Sequence, residues 1–183
     1  MDKLIVLDRD GVINQDSDNY IKSPEEFDPI PGSLDAIAKL NKSGYTVVVA
    51  TNQSGLARGY FDQDTLDKMH DKLSRLLAGA GGKIDKIYVC PHGPDDKCNC
   101  RKPEAGLLLQ ILADYKVDAE SVIAIGDSLR DLQAAHKVNM VPVLVRTGKG
   151  LKTEASLSGD KQLGDIKVFD NLSQAVDDML DKD

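Results

Sequence analysis

Residues 4–16 read LIVLDRDGVINQD. Leu4, Ile5, Val6 and Leu7 form a short apolar run that ends abruptly in Asp8, Arg9, Asp10 and Gly11. A run this short, rich in β-formers and closed by a turn signal, reads as a buried strand. Two carboxylates one residue apart then stand at its end. Like charges that close repel, and burial strips water from each. The pair is stable if a divalent cation lies between them or if one keeps its proton.

Working outward, the same strand signal recurs at residues 46–51, 87–90, 122–127, 141–145 and 166–170. Helical spacing separates these runs, over 33–42, 62–78, 103–115, 129–137 and 172–180. In the second helix Leu66, Met69, Leu73, Leu76 and Leu77 repeat on one face. Strands alternating with helices predict crossover connections and an α/β, doubly wound (Rossmann-like) parallel sheet covered on both faces. Ligands of such sheets bind beyond the carboxyl ends of the strands. The residues that follow the strands are therefore the informative ones: Asp8, Asp10, Thr51, Asn52 and Asp127. No repeat or linker interrupts the pattern, so residues 1–183 read as a single domain. Residues 148–165, rich in Gly, Ser and Lys, read as a long surface loop, and 93–99 as another loop.

The chain is 41% apolar and 29% charged, ordinary for a globular protein. Its formal net charge of −7 argues against nucleic acid or a membrane surface as partner through a basic field. An anionic substrate then needs local cations or a metal. The apolar run after Lys3 is too short for a secretory signal, and no segment is long enough to cross a bilayer. A cytoplasmic location is the expectation. All three cysteines fall within residues 90–100. An odd number without a signal peptide argues against disulfides. Cys90, His92, Cys98 and Cys100 instead suit a tetrahedral structural zinc, with no position left open. The plainer alternative is reduced thiols beside a surface histidine. His70 and His136 fall in helical patterns and read as surface or boundary residues.

A third carboxylate after another strand, Asp127, would complete a magnesium site with the first pair, because magnesium needs few protein ligands. The plainer alternative is a polar turn and a helix N-cap. Thr51, Asn52 and the following backbone N–H groups can hold phosphate oxygens, or simply cap a turn. Arg101 and Lys102 precede a helix predicted to start near Pro103 and can bind a phosphoryl group and a second anion. Cys100 directly precedes them, so a zinc staple would hold both cations in place.

Asp-x-Asp-Gly after a first strand, Thr-Asn after a second, Lys-Pro before a helix and Gly-Asp-x-x-x-Asp after a later strand follow in that order from Asp8 to Asp131. This order resembles the haloacid dehalogenase superfamily. The resemblance implies that Asp8 is the nucleophile, forming a phosphoaspartate, and that Asp10 is the general acid and base. It implies Thr51 and Lys102 as stabilisers of the phosphoryl group. Asp8, the Asp10 backbone carbonyl and Asp127 would hold Mg²⁺, and Asp131 would orient Lys102 or a metal-bound water. An acid must start protonated, so the neighbouring carboxylate and partial burial are expected to raise the Asp10 pKa.

A zinc loop over 90–102 with no room for a large cap domain resembles the branch holding histidinol phosphatases and heptose bisphosphate phosphatases. Residues 7–27, 29–41, 47–61, 90–108 and 143–150 resemble the second group. That implies a Mg-dependent phosphoric monoester hydrolase that removes the 7-phosphate of a heptose 1,7-bisphosphate and leaves the 1-phosphate. The reaction would serve bacterial heptose and lipopolysaccharide precursor synthesis. Its loops would bind a small sugar phosphate through Asp16, Ser17, Asp18, Asn19 and Tyr20, and through Thr51, Asn52, Gln53 and Ser54. Arg101 would take the distal end of the substrate and Lys102 the reacting end, in a monomer. Three alternatives remain at this point. One is a histidinol-phosphate phosphatase, whose substrate has no second phosphate. Another is a signalling module phosphorylated on aspartate. The third is a non-catalytic zinc-bound protein that keeps the fold alone.

Overall fold

The computed structural model describes residues 3–157 and 163–182. Its strands are β1 (Lys3–Leu7), β2 (Tyr45–Asn52), β3 (Lys86–Cys90), β4 (Ile123–Gly126), β5 (Val141–Val145) and β6 (Lys167–Phe169). Its helices are α1 (Ser33–Lys42), α2 (Gln63–Gly79), α3 (Gly106–Tyr115), α4 (Leu129–Lys137), α5 (Gly150–Leu157) and α6 (Leu172–Leu180). The strands form one parallel sheet in the order β3-β2-β1-β4-β5-β6.

Successive side chains of a strand point to opposite faces, and here both faces are covered, which is why the strands read as continuous apolar runs. Ile5, Leu7, Val47 and Val49 pack with Ile37, Leu66, Leu73 and Val176 from α1, α2 and α6. Leu4, Val6, Val48 and Ala50 pack with Leu107, Ile111, Ala134 and Ala135 from α3 and α4. Helix α2 starts where Asp62 caps it, accepting the Thr65 N–H at 2.9 Å. Of its predicted face, Leu66, Met69, Leu73 and Leu77 are buried, while Leu76 lies at the exposed margin.

Two expectations are corrected. The helix predicted from Pro103 begins at Gly106. Residues 101–106 first make a tight turn, with Glu104 N–H donating to the Arg101 carbonyl and Gly106 N–H to that of Asn99, both at 2.8 Å. The loop predicted over 148–165 is helical over Gly150–Leu157. There the Leu-Lys-Thr-Glu-Ala-Ser-Leu stretch has adequate helix propensity, and buried Thr153 ties it to the core. Residues 158–162 of that stretch lie outside the described residues.

The strand order turns around β1, so the carboxyl ends of β1, β2 and β4 lie side by side. Asp8 N–H donates to the Ile125 carbonyl at 2.9 Å, which binds the end of β1 to that of β4. Gln53 N–H donates to the Cys90 carbonyl at 2.8 Å, which does the same for β2 and β3. This edge is where a doubly wound sheet places its ligand. No helix among the described residues is long and apolar enough to cross a membrane.

Candidate active site

At that edge the Lys102 ammonium meets three acceptors: Asp131 Oδ1 at 2.6 Å, Asp8 Oδ1 at 3.1 Å and the Ala50 carbonyl at 2.8 Å. An ammonium has three N–H donors, so this buried lysine is fully satisfied. Burial opposes its charge, but Asp131 and Asp8 outweigh that and hold its pKa above the ordinary value. Asp131 Oδ2 accepts from both the N–H (3.0 Å) and the hydroxyl (2.6 Å) of Ser128. Ser128, not Asp127, is thus the N-cap of α4, and Asp127 is left for other work.

Asp8 accepts the Arg9 N–H at 2.8 Å besides the Lys102 ammonium, both on Oδ1. Burial first, then the charges of Asp131 and Asp10, push its pKa up to about 7 against the pull of Lys102. Asp127 is pushed up to about 8 by burial and by Asp8 and Asp131. Lys149 just before α5 and Thr153 in its first turn fix Asp127. Lys149 N–H donates to its Oδ2 at 2.7 Å, and the Thr153 hydroxyl donates to its carbonyl at 2.9 Å. Gly11 and Gly148, at φ +84° and +57°, flank the carboxylate so closely that a Cβ on either would lie 2.1 or 2.2 Å from Asp127 Oδ2. Only glycine fits there.

Oxygens of Asp8, Asp127 and Asp131 lie within 4.8 Å of one another. Asp131 already serves Lys102 and Ser128, whereas Asp8 and Asp127 share too little positive charge to be ionised together. A hard divalent cation supplies the missing charge, so this donor set fits magnesium.

Asp10 departs from the sequence-based expectation. Burial raises its pKa, but the Arg9 guanidinium and hydrogen bonds from Arg9, Asn14 and Gln53 outweigh burial and hold it below the ordinary value. The three donors lie at 2.8, 2.9 and 2.8 Å. The expectation counted the neighbouring carboxylate but not these donors.

Cys90, His92, Cys98 and Cys100 also come together. The sulfur pairs 90–98 and 98–100 lie 3.7 and 3.6 Å apart, and His92 Nδ1 lies 3.8 and 3.3 Å from Cys90 and Cys100. Tetrahedral Zn–S bonds of about 2.3 Å put ligands roughly 3.8 Å apart, so these edges fit zinc, with Cys90 to Cys100 tighter at 2.9 Å. Burial disfavours the Cys98 thiolate, but the Arg101 N–H and the neighbouring thiols bring its pKa down to about 7.

Above these groups lies a cavity of about 390 Å³. Asp8, Asp10, Asp127, Lys102 and Arg101 line it. Asp16, Ser17, Asp18 and Tyr20 from the expected substrate loop border it, as do Asn52, Gln53 and Ser54. Asn19 does not line it; its carbonyl accepts from Lys22 on the exposed side of the loop. Thr51 is buried beside it, its hydroxyl oxygen accepting from Gln53 Nε2 at 2.9 Å. Three lining cations were not read from the sequence: Arg58, Arg130 and Lys149. The last pairs with Asp16 at 3.4 Å. Arg130 occupies an unspecified position of the Gly-Asp-x-x-x-Asp motif, and Arg58 and Lys149 carry no motif role of their own, so the fold is what brings them here.

A paired-aspartate strand end, an anchored lysine and a third strand-end carboxylate around one cavity define a phosphoryl-transfer core of the HAD type. The HAD-hydrolase-like family model matches residues 99–175. The D-glycero-beta-D-manno-heptose-1,7-bisphosphate 7-phosphatase of Pseudomonas putida is 58% identical over 178 residues, covering 97% of this chain and 99% of that protein. That of Bordetella bronchiseptica is 60% identical over 153 residues, covering 84% and 86%. The crystal structure of D,D-heptose 1,7-bisphosphate phosphatase from B. bronchiseptica with magnesium and phosphate superimposes with a TM-score of 0.95. It is 52% identical and covers 99% of both chains. The chain belongs to the D-glycero-beta-D-manno-heptose-1,7-bisphosphate 7-phosphatase family.

Proposed function

We propose that this chain removes the 7-phosphate from D-glycero-β-D-manno-heptose 1,7-bisphosphate, with Mg²⁺ as cofactor and a phosphoaspartate on Asp8 as intermediate. The observation that carries this reading is the Asp8–Lys102–Asp131 chain beneath the cavity, with Asp127 beside it. Asp8, the Asp10 carbonyl and Asp127 would hold the magnesium, whose charge would offset that of the phosphoryl group and keep Asp8 ionised. Asp8 attacks phosphorus as the bond to the sugar oxygen breaks. Lys102 and the Thr51 hydroxyl steady the phosphoryl oxygens.

Asp10 gives a proton to the leaving oxygen, then takes one from the water that hydrolyses the phosphoaspartate. The donors around Asp10 favour its ionised form, so its proton must be gained in the bound complex. A phosphate dianion beside Asp10 opposes that ionisation, which makes proton uptake a consequence of substrate binding.

Arg101 holds the distal phosphate, helped by the positive rim of Arg58, Arg130 and Lys149. Cys90, His92, Cys98 and Cys100 would hold a zinc ion that braces the turn presenting Arg101 and Lys102. The single parallel sheet, covered by helices on both faces, supports a chain acting as a single domain, which we read as a monomer. Reduced zinc-binding cysteines suit the cytoplasm, where the product feeds lipopolysaccharide precursors.

The test is phosphate release with Mg²⁺ from heptose 1,7-bisphosphate and from histidinol phosphate in parallel. The bisphosphate should be strongly preferred, with its 1-phosphate intact. Preference for histidinol phosphate would overturn the substrate assignment.

A further inference from the structure

The two oxygens of Asp10 are held differently. Oδ1 accepts from Arg9 Nη2 at 2.8 Å and from Asn14 Nδ2 at 2.9 Å. Among the described residues Oδ2 accepts only from Gln53 Nε2, at 2.8 Å, and Gln53 itself lines the cavity. With two donors aimed at it, Oδ1 has no room for a proton of its own.

Arg9 is 1% exposed, an unusual place for a guanidinium. Its ring of contacts is complete on one side and bare on another. Nη2 reaches Asp10, Nη1 lies 3.3 Å from His70 Nε2, and the group lies over the Phe27 ring at 5.6 Å. Nε is buried with no hydrogen-bond partner among the described residues. Arginine has no acceptor, so His70 Nε2 must be the lone-pair nitrogen of a neutral ring. Burial and Arg9 lower the His70 pKa to about 4, in keeping with that form. Burying a cation is unfavourable unless its partners are well placed, and here the partner is a cavity carboxylate. The backbone N–H of the same arginine donates to Asp8 at 2.8 Å. One residue thus orients both aspartates.

We propose that Arg9, backed by His70 from α2, is the positioning device for leaving-group protonation: it clamps Asp10 through Oδ1, so that Oδ2 is the oxygen that carries the proton. This rests on Asp10 being the general acid. In the step, the proton on Oδ2 passes to the sugar oxygen as the P–O bond to the sugar breaks and the Asp8 O–P bond forms. Asp10 is left a carboxylate and the sugar an alcohol. His70 touches no reacting atom; it fixes the guanidinium that fixes the acid.

The test uses leaving groups. A sugar alkoxide needs a proton to depart, whereas p-nitrophenolate does not. kcat/KM reports the steps through leaving-group departure, so it isolates this proton transfer from later hydrolysis. His70→Phe removes the acceptor for Arg9 and keeps a ring of similar size. Its kcat/KM for the heptose bisphosphate should fall on the order of 10-fold, a fraction of the ~10²–10⁴ that general acid catalysis supplies. Its kcat/KM for p-nitrophenyl phosphate should stay within about 2-fold by the same reasoning. His70→Gln, which restores an acceptor, should recover the heptose activity. Arg9→Met should show the same selective loss, larger; if that variant does not fold, the His70 pair decides. Equal losses on both substrates, or none on either, would overturn the proposal. Asp10→Asn separates the two levels. If it shows no selective loss on the sugar substrate, Asp10 is not the acid; if it does and His70→Phe does not, only the positioning role fails.

Discussion

Asn52 grips the main chain of Lys102 from both sides. Its Oδ1 accepts the Lys102 N–H at 3.0 Å, and its Nδ2 donates to the Lys102 carbonyl at 3.1 Å. The end of β2 thereby holds the turn that follows the zinc cluster. An amide that the sequence suggests for substrate binding is spent on placing the lysine. Asn52→Ala should cost about 1–3 kcal/mol of stability, from the backbone groups left unpaired. It should also lower kcat more than it raises KM, because the lysine acts on the reacting phosphoryl group. Denaturant unfolding and steady-state kinetics check both. An unchanged kcat would show that the turn needs no such clamp.

The zinc cluster holds the same turn from its other end. Cys98→Ser should lower bound zinc and phosphatase activity together, as metal analysis and phosphate release would record. Full activity in zinc-free protein would contradict the staple.

Much of this was legible in the sequence, and for a physical reason. Buried parallel strands need unbroken apolar runs, so β1, β2 and β4 show in the sequence, as do the aspartates that follow β1 and β4. The donors around Asp10 did not show. Arg9 looks like a turn residue until β1 ends beneath α2, and His70 looks like any boundary histidine until α2 lies across it. Helix α5 was hidden by Gly, Lys and Ser on either side, yet its first turn contains Thr153, which holds Asp127. Lys149, Arg58 and Arg130 reach the cavity only through tertiary structure.

Charge at the metal site gives a pH dependence with a definite sign. Asp8 and Asp127 have folded pKa values of about 7 and about 8, against 3.8 for a free carboxylate. Between about pH 4 and pH 8 the folded protein keeps protons that the unfolded chain has lost, so metal-free stability should fall as pH rises. Asp10 and Asp131, with lowered values, act oppositely and lose their contribution only below the ordinary carboxylate range. Mg²⁺ should therefore raise the melting temperature more at pH 8 than at pH 5, where it must displace protons. Equal stabilisation at both pH values would argue against these two carboxylates as its ligands.

Arg101 borders the cavity beside Lys102 but stands outside the Asp8–Lys102–Asp131 chain. Arg101→Ala should weaken kcat/KM for the bisphosphate by roughly 10-fold or more, as expected for a lost charge-assisted contact. A sugar monophosphate should lose much less. Competition between the two substrates measures this directly, and equal losses would remove the distal-phosphate role.

The most direct test of the chemistry is the mass of the protein quenched in acid during turnover with Mg²⁺ and heptose 1,7-bisphosphate. A fraction of the chain should gain one phosphoryl group, located on the peptide containing Asp8, and Asp8→Asn should show neither that gain nor turnover. A phosphoryl group on another residue, or full turnover by Asp8→Asn, would contradict the nucleophile assigned here.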